Sequence, residues 1–280
     1  MLPSLLALAA AVPAVLGCAQ HDNYRPLPHF GKRQITTNPG RTVTDWAYEA
    51  SYNWGRINET YRECQVGTQQ SPIALNLNQG LSQRHIPSFG GYTNSSGSQN
   101  VTGNFYNWGY GPAFTLHHED GVWDTLPSMT FDNETVYLRG WHIHSPADHT
   151  VGGDRSKAEL HYVHVDEEGH EAAVLAIRLD PGITSSPFFA QLPPMIGFNE
   201  TEVMEGVTLN PALALDAVNN FQEFWTYKGS LTSPPCHEGI RFFVARNILF
   251  TSVEEMQALL GVSTYSARAE QEVWQHEINV

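Results

Sequence analysis

Val136-Tyr137-Leu138-Arg139-Gly140-Trp141-His142-Ile143-His144 and, past a Gly152-Gly153 turn, Ala158-Glu159-Leu160-His161-Tyr162-Val163-His164-Val165 decide the fold. Both stretches alternate with period two and are rich in β-branched and aromatic residues, so each reads as a β-strand. Alternation puts His142 and His144 on one face of the first strand, with Trp141 and Ile143 on the other. In the second, Glu159, His161 and Val163 share a face opposite Leu160, Tyr162 and His164. Placed as antiparallel neighbours, the strands bring three imidazoles to one point. Three His with an open fourth position are the donor set of a catalytic zinc ion. A His-x-His pair alone is usually incidental in a chain with 13 His. The third His, with a carboxylate two residues before it, lifts the pattern above that background.

Around this centre the chain reads as one β-rich domain. Its 280 residues are 41% hydrophobic and 11% aromatic, enough for a sizeable core. The formal net charge is −14, which argues against nucleic acid or an anionic membrane surface as partner. Pro112–Leu116, Glu171–Leu179 and Ile240–Ala245 are further strand candidates. Ala212 to Tyr227 is expected to be a short helix with Phe221, Phe224 and Trp225 on its core side. Ser252 is the expected N-cap of a surface helix running to Leu260. Residues 90–103 and 181–211 are expected as loops, the latter with an amphipathic fragment around Met204.

The N-terminal region carries processing signals. Residues 1–19 hold an apolar run of signal-peptide length, with Gly17 and Ala19 suited to cleavage after Ala19. Val15-Leu-Gly-Cys18 also matches a lipoprotein box that would leave Cys18 lipidated. Residues 20–39 contain Pro26, Pro28, Pro39 and the dibasic pair Lys32-Arg33, and read as a linker or pro-segment before a domain at 40–280. Five Asn sequons, at Asn58, Asn94, Asn100, Asn133 and Asn199, favour a eukaryotic secreted glycoprotein with no stable membrane anchor. An oligomer is compatible with this pattern and not specified by it. Without Cys18, the remaining Cys64 and Cys236 form a disulfide or stay as two buried thiols, and secretion favours the disulfide.

Five elements in order, Gln70-Ser-Pro-Ile, Trp141-His-Ile-His144, Asp148-His-Thr-Val, Ala158-Glu-Leu-His161-Tyr-Val-His164 and Gly229-Ser-Leu-Thr-Ser-Pro-Pro-Cys-His-Glu-Gly239, resemble the α-class carbonic anhydrases from about Trp46 onward. The resemblance is to the secreted, disulfide-bearing, fungal-like type. It implies a mainly β single domain with a large twisted, mostly antiparallel central sheet and a few short helices. It implies a lyase that interconverts CO2 and bicarbonate through hydroxide held on one Zn2+ per chain. By the same likeness His142, His144 and His161 are zinc ligands, and Glu159 orients a ligand imidazole from behind. Thr232 orients the nucleophile, with Asp148 as the acceptor of its hydroxyl. Val163, Val174, Leu231 and Ser233 line the CO2 pocket, and Cys64 pairs with Cys236.

The chain departs from the family's pattern at several points. Asp148 stands where Glu is usual, one methylene shorter. No His precedes Ala113-Phe114, where the proton shuttle is usual, so proton transfer is expected through water, buffer or another His such as His117 or His118. Gly140 replaces a common Gln beside the first ligand, Phe242 a common Trp, and the stretch from Trp274 barely matches.

Two rival readings stand beside this one. His142-x-His144-x-x-x-Asp148 also resembles the iron or manganese motif of cupin dioxygenases. That reading leaves the Thr232-Ser-Pro-Pro element unexplained. A non-catalytic anhydrase-like binding protein would typically lack a ligand His, and none is lacking here.

Overall fold

A computed structural model describes residues 45–94 and 97–280. The expected signal segment (1–19), Cys18, the linker or pro-segment with Lys32-Arg33, and the side chain of Asn94 lie outside the described residues.

Among the described residues, eleven strands join in one sheet. Its main path runs Val203–Leu209, Val101–Asn107, Pro112–Leu116, Glu134–His144, Ala158–Val165, Glu171–Gly182, Glu238–Ala245 and Phe224–Ser230. Most neighbours are antiparallel, but Glu171–Gly182 runs parallel to Glu238–Ala245 and to Leu249–Ser252. The two strands read first from the sequence are antiparallel neighbours near its middle, with His161 opposite His142 and Glu159 opposite His144.

Ala158–Val165 is buried at every position, because both faces of this central strand are covered. On one face Trp141, Ile143, Leu160, Tyr162, Leu175 and Ile177 join the larger hydrophobic core. On the other, Val163, Val174, Tyr227, Leu231 and Phe242 form a second cluster beside the histidines. Each large side chain so buried contributes about 1.5–3 kcal/mol. The site is therefore built on one surface of a slab anchored by the other.

Three expectations need correction. The helix at Ala212 ends at Ala217, and Phe224–Ser230 is an antiparallel strand against Glu238–Ala245. Val101–Asn107 begins inside the expected 90–103 loop. The fragment around Met204 is the edge strand Val203–Leu209. The surface helix is Val253–Gly261; Ser252 Oγ accepts from Glu255 N at 3.1 Å, and the Glu255 carboxylate accepts from Ser252 N at 3.0 Å. No helix among the described residues is long and apolar enough to cross a membrane.

Cys64 and Cys236 are joined as a disulfide across a separation of 172 residues. Of the sequons, Asn100, Asn133 and Asn199 are exposed. Asn58 is half-buried and its Nδ2 donates to Asp45 at 3.3 Å.

Candidate metal centre

His142, His144 and His161 converge. Their ring centroids are 4.8, 5.3 and 4.6 Å apart taken pairwise. Each offers one nitrogen, all within 4.8 Å of one another. The outer hydrogen bonds fix which nitrogen faces inward. His144 Nδ1 donates to the Ser266 carbonyl at 2.7 Å, so its Nε2 presents a lone pair. His161 Nε2 donates to Glu159 Oε1 at 2.7 Å, leaving Nδ1 for the centre. His142 Nε2 stands 3.0 Å from His144 Nε2. Two lone pairs at that distance repel unless a proton or a cation lies between them. The separation is close to the roughly 3.3 Å expected of two nitrogens sharing a tetrahedral zinc. Burial lowers the His144 pKa, partly offset by the nearby Asp148, so the neutral, ligating form is favoured.

Glu159 is fully buried. Burial alone would raise its pKa, but His149 and His161 together hold it well below the ordinary carboxylate range. Its Oε2 accepts from the His149 backbone N at 2.9 Å, and its Oε1 from His149 Nδ1 at 2.6 Å. His149 Nε2 then meets Tyr227 Oη at 2.7 Å, and Tyr227 bonds Ser71 Oγ at 3.0 Å. This buried chain sets the orientation of His161 from behind. Ser71 reaches it because residue 229 is Gly: a Cβ there would come 2.2 Å from Ser71 Oγ.

Asp148 and Thr232 are both buried. Asp148 Oδ1 accepts from Arg268 N at 2.8 Å, while Oδ2 lies 3.6 Å from His144 Nε2. Neither Asp148 Oδ2 nor Thr232 Oγ1 has a hydrogen-bond partner among the described residues. A buried oxygen without a partner costs about 1–3 kcal/mol, so the Asp148 Oδ2 atom beside His144 favours something bound there. The donor set fits zinc. Asp148 falls outside the group of mutually close ligand atoms, contrary to the two-His-one-carboxylate reading.

The wall beside His161 is apolar. Val174 pairs across the sheet with Val163 and, in parallel register, with Phe242. Phe242 meets His161 edge-on at 6.0 Å and stacks on Tyr227 at 5.2 Å. Leu231 packs in the same cluster, and Ser233 is buried nearby in sequence. Gly140, opposite Val163, has no side chain to offer His142.

A profile of the eukaryotic-type carbonic anhydrases matches residues 49–278. The chain belongs to that family. It is similar to carbonic anhydrase of Pectobacterium carotovorum, 26% identical over 223 residues covering 78% of this chain and 82% of that one. Among solved structures, the Photobacterium profundum α-carbonic anhydrase shares the fold at TM-score 0.67 and 23% identity, over 84% and 98% of the two chains. The fungal α carbonic anhydrase from Aspergillus oryzae shares it at TM-score 0.66 and 22% identity, over 81% and 92%. Membership of the carbonic anhydrases replaces the cupin reading.

Sequence reasoning gave no role to four residues that hold the site. His149, Tyr227 and Ser71 form the relay behind Glu159. Arg268 is fully buried and donates to Ser71 O at 2.7 Å, Gln70 Oε1 at 2.8 Å and Cys64 O at 3.1 Å. Burial lowers its pKa to about 10, with Asp148 opposing, so it stays charged at neutral pH. His149 and Ser71 do lie inside motifs quoted from the sequence. Arg268 sits in a stretch with no pattern to mark it.

Proposed function

We propose that this chain hydrates CO2 reversibly to bicarbonate and a proton, using one zinc ion held by His142, His144 and His161. The observation that carries the reading is three inward-facing imidazole nitrogens within 4.8 Å, with the unpartnered Asp148 Oδ2 3.6 Å from His144 Nε2. When bound, zinc supplies Lewis acidity that brings the pKa of its water from near 16 to about 7, a value established on carbonic anhydrase itself.

The chain's own residues do the rest. Val163, Val174, Leu231 and Phe242 exclude water and offer a nonpolar linear substrate a dry wall, with Ser233 at its margin. Thr232 Oγ1 would accept a hydrogen bond from the attacking oxygen and so aim its lone pair. Asp148 Oδ2 is the acceptor for the Thr232 hydroxyl, reached by a side-chain shift or through one water. Glu159 and the Ser266 carbonyl hold His161 and His144 in their ligating tautomers. The product proton leaves through water, buffer or His117.

The same reading makes residues 1–19 a signal peptide, 20–39 a linker or pro-segment and 40–280 the catalytic domain of a secreted glycoprotein. Zinc per chain by elemental analysis and stopped-flow CO2 hydration, with and without chelator, test the proposal. One zinc per chain with chelator-sensitive turnover supports it. Stoichiometric zinc without turnover would leave a non-catalytic binding protein.

A further inference from the structure

Trp108 opens the turn between strands Val101–Asn107 and Pro112–Leu116. Its indole meets His142 edge-on at 5.3 Å and His144 at 5.4 Å. The three imidazoles are at most 1% exposed, whereas Trp108 keeps 6%. Trp108 thus keeps a little contact with solvent where the three imidazoles have almost none. Behind Trp108 stand Tyr110 at 4.8 Å and Tyr48 at 6.2 Å, and Tyr48 itself meets His144 at 5.8 Å.

This turn is fixed on several sides. Trp108 Nε1 donates to the Ile143 carbonyl at 3.3 Å, between the two strand histidines. Trp108 N closes the turn on Gly111 O at 3.0 Å. Asn107 Nδ2 donates to Ile196 O and Val262 O, both at 2.8 Å, and Thr264 N donates to Tyr110 O at 2.9 Å. A Cβ on Gly111 would lie 2.7 Å from Ile143 O, so the turn sits directly on the His142–His144 strand. Fixed at both ends, the indole is a wall rather than a mobile lid.

We infer that Trp108 determines the size of ligand that reaches the metal centre, admitting small linear and triangular molecules and excluding planar aryl groups. The inference rests on the metal reading above. Its physical basis is steric exclusion: a rigid ring over two ligand imidazoles leaves room for a few atoms, and a second ring would have to displace it.

The test uses the full chain loaded with Co2+, whose visible spectrum reports ligands at the metal independently of turnover. Azide, acetate and benzoate are titrated into the wild type and Trp108→Ala. Azide is expected to shift the spectrum of both proteins with affinities within about threefold, and benzoate to bind the variant at least about tenfold more tightly than the wild type. Should the variant fail to fold, the wild type alone decides. Acetate binding at least about tenfold more tightly than benzoate supports the wall. Equal wild-type affinities for acetate and benzoate, or equal benzoate affinity in the two proteins, overturn it while leaving the metal reading intact. Failure to bind Co2+, or no spectral response to azide, removes the metal reading and the wall with it.

Discussion

Asp148 takes the backbone N–H of Arg268 through Oδ1 at 2.8 Å and leaves Oδ2 unbonded. The carboxylate is thus held by a residue 120 positions away, and neither its Oδ2 nor Thr232 Oγ1 has a hydrogen-bond partner among the described residues. If the two act as a unit on the nucleophile, removing either removes the function of both. Thr232→Ala and Asp148→Ala should each lower kcat/KM by about 100-fold, and the double variant by little more than the worse single. Stopped-flow hydration checks this; fully additive losses would show that the residues act separately.

Removing a ligand imidazole should empty the centre. His144→Ala and His161→Ala are expected to copurify with less than about a tenth of the wild-type zinc, because two nitrogens make a weak site. Elemental analysis decides. Glu159→Gln should retain the fold and bind zinc about 10–100-fold more weakly, since it loses the charge behind His161.

Proton release should limit turnover at low buffer. By register, residues 113 and 115 lie on the face of His142, and His117 continues that side with Nε2 2.8 Å from Asn104 Oδ1. Burial lowers the His117 pKa, with Glu205 opposing, so it is neutral and able to accept a proton at pH 7. His118 instead packs on Trp123 at 4.2 Å and bonds the Glu119 carbonyl. Turnover should rise with buffer concentration, and His117→Ala should steepen that dependence. A rate flat in buffer for the wild type contradicts it.

The helix cap predicts a pH-dependent stability. Burial works against ionised Glu255, but bonds from Ser185, Thr251, Ser252 and Ser186 hold its pKa below the ordinary 4.5. The depressed value makes its contribution full above pH 4.5 and lost as pH falls through the folded-state pKa. Glu255→Gln should therefore destabilise by about 1 kcal/mol at pH 7 and by little at pH 2–3. Denaturant melts at both pH values measure the difference.

The Cys64–Cys236 bond closes a loop of 172 residues, so its loss should cost up to about 5 kcal/mol on the chain-entropy account. Cys64→Ser with Cys236→Ser should lower Tm, and dithiothreitol should lower the wild type's Tm toward the same value.

The central strands were legible because their alternation is uninterrupted: spacing put His142 with His144 and His161 with Glu159, and the antiparallel pairing of the two strands brings those faces together. Phe224–Ser230 was not, because Phe221, Phe224 and Trp225 also satisfy helical spacing. A strand buried on both faces carries no polar alternation to break that tie. Trp225 and Tyr227 in fact face the site's cluster, and Phe224 the larger core. Val203–Leu209 hid behind Gly206 at φ +68° and a half-exposed edge. Trp108 and Arg268 could not be found by pattern, since their partners lie far away along the chain.

Ser266 and Arg268 supply a carbonyl to His144 and an N–H to Asp148. A nascent chain still on the ribosome with only residues up to 250 outside would own every proposed ligand and lack both of these groups. Translation must therefore run past residue 268 before the pocket acquires its finished chemistry, and a premature stop after the last proposed ligand would yield a protein with His161 still held by Glu159 but with nothing to fix His144 or Asp148.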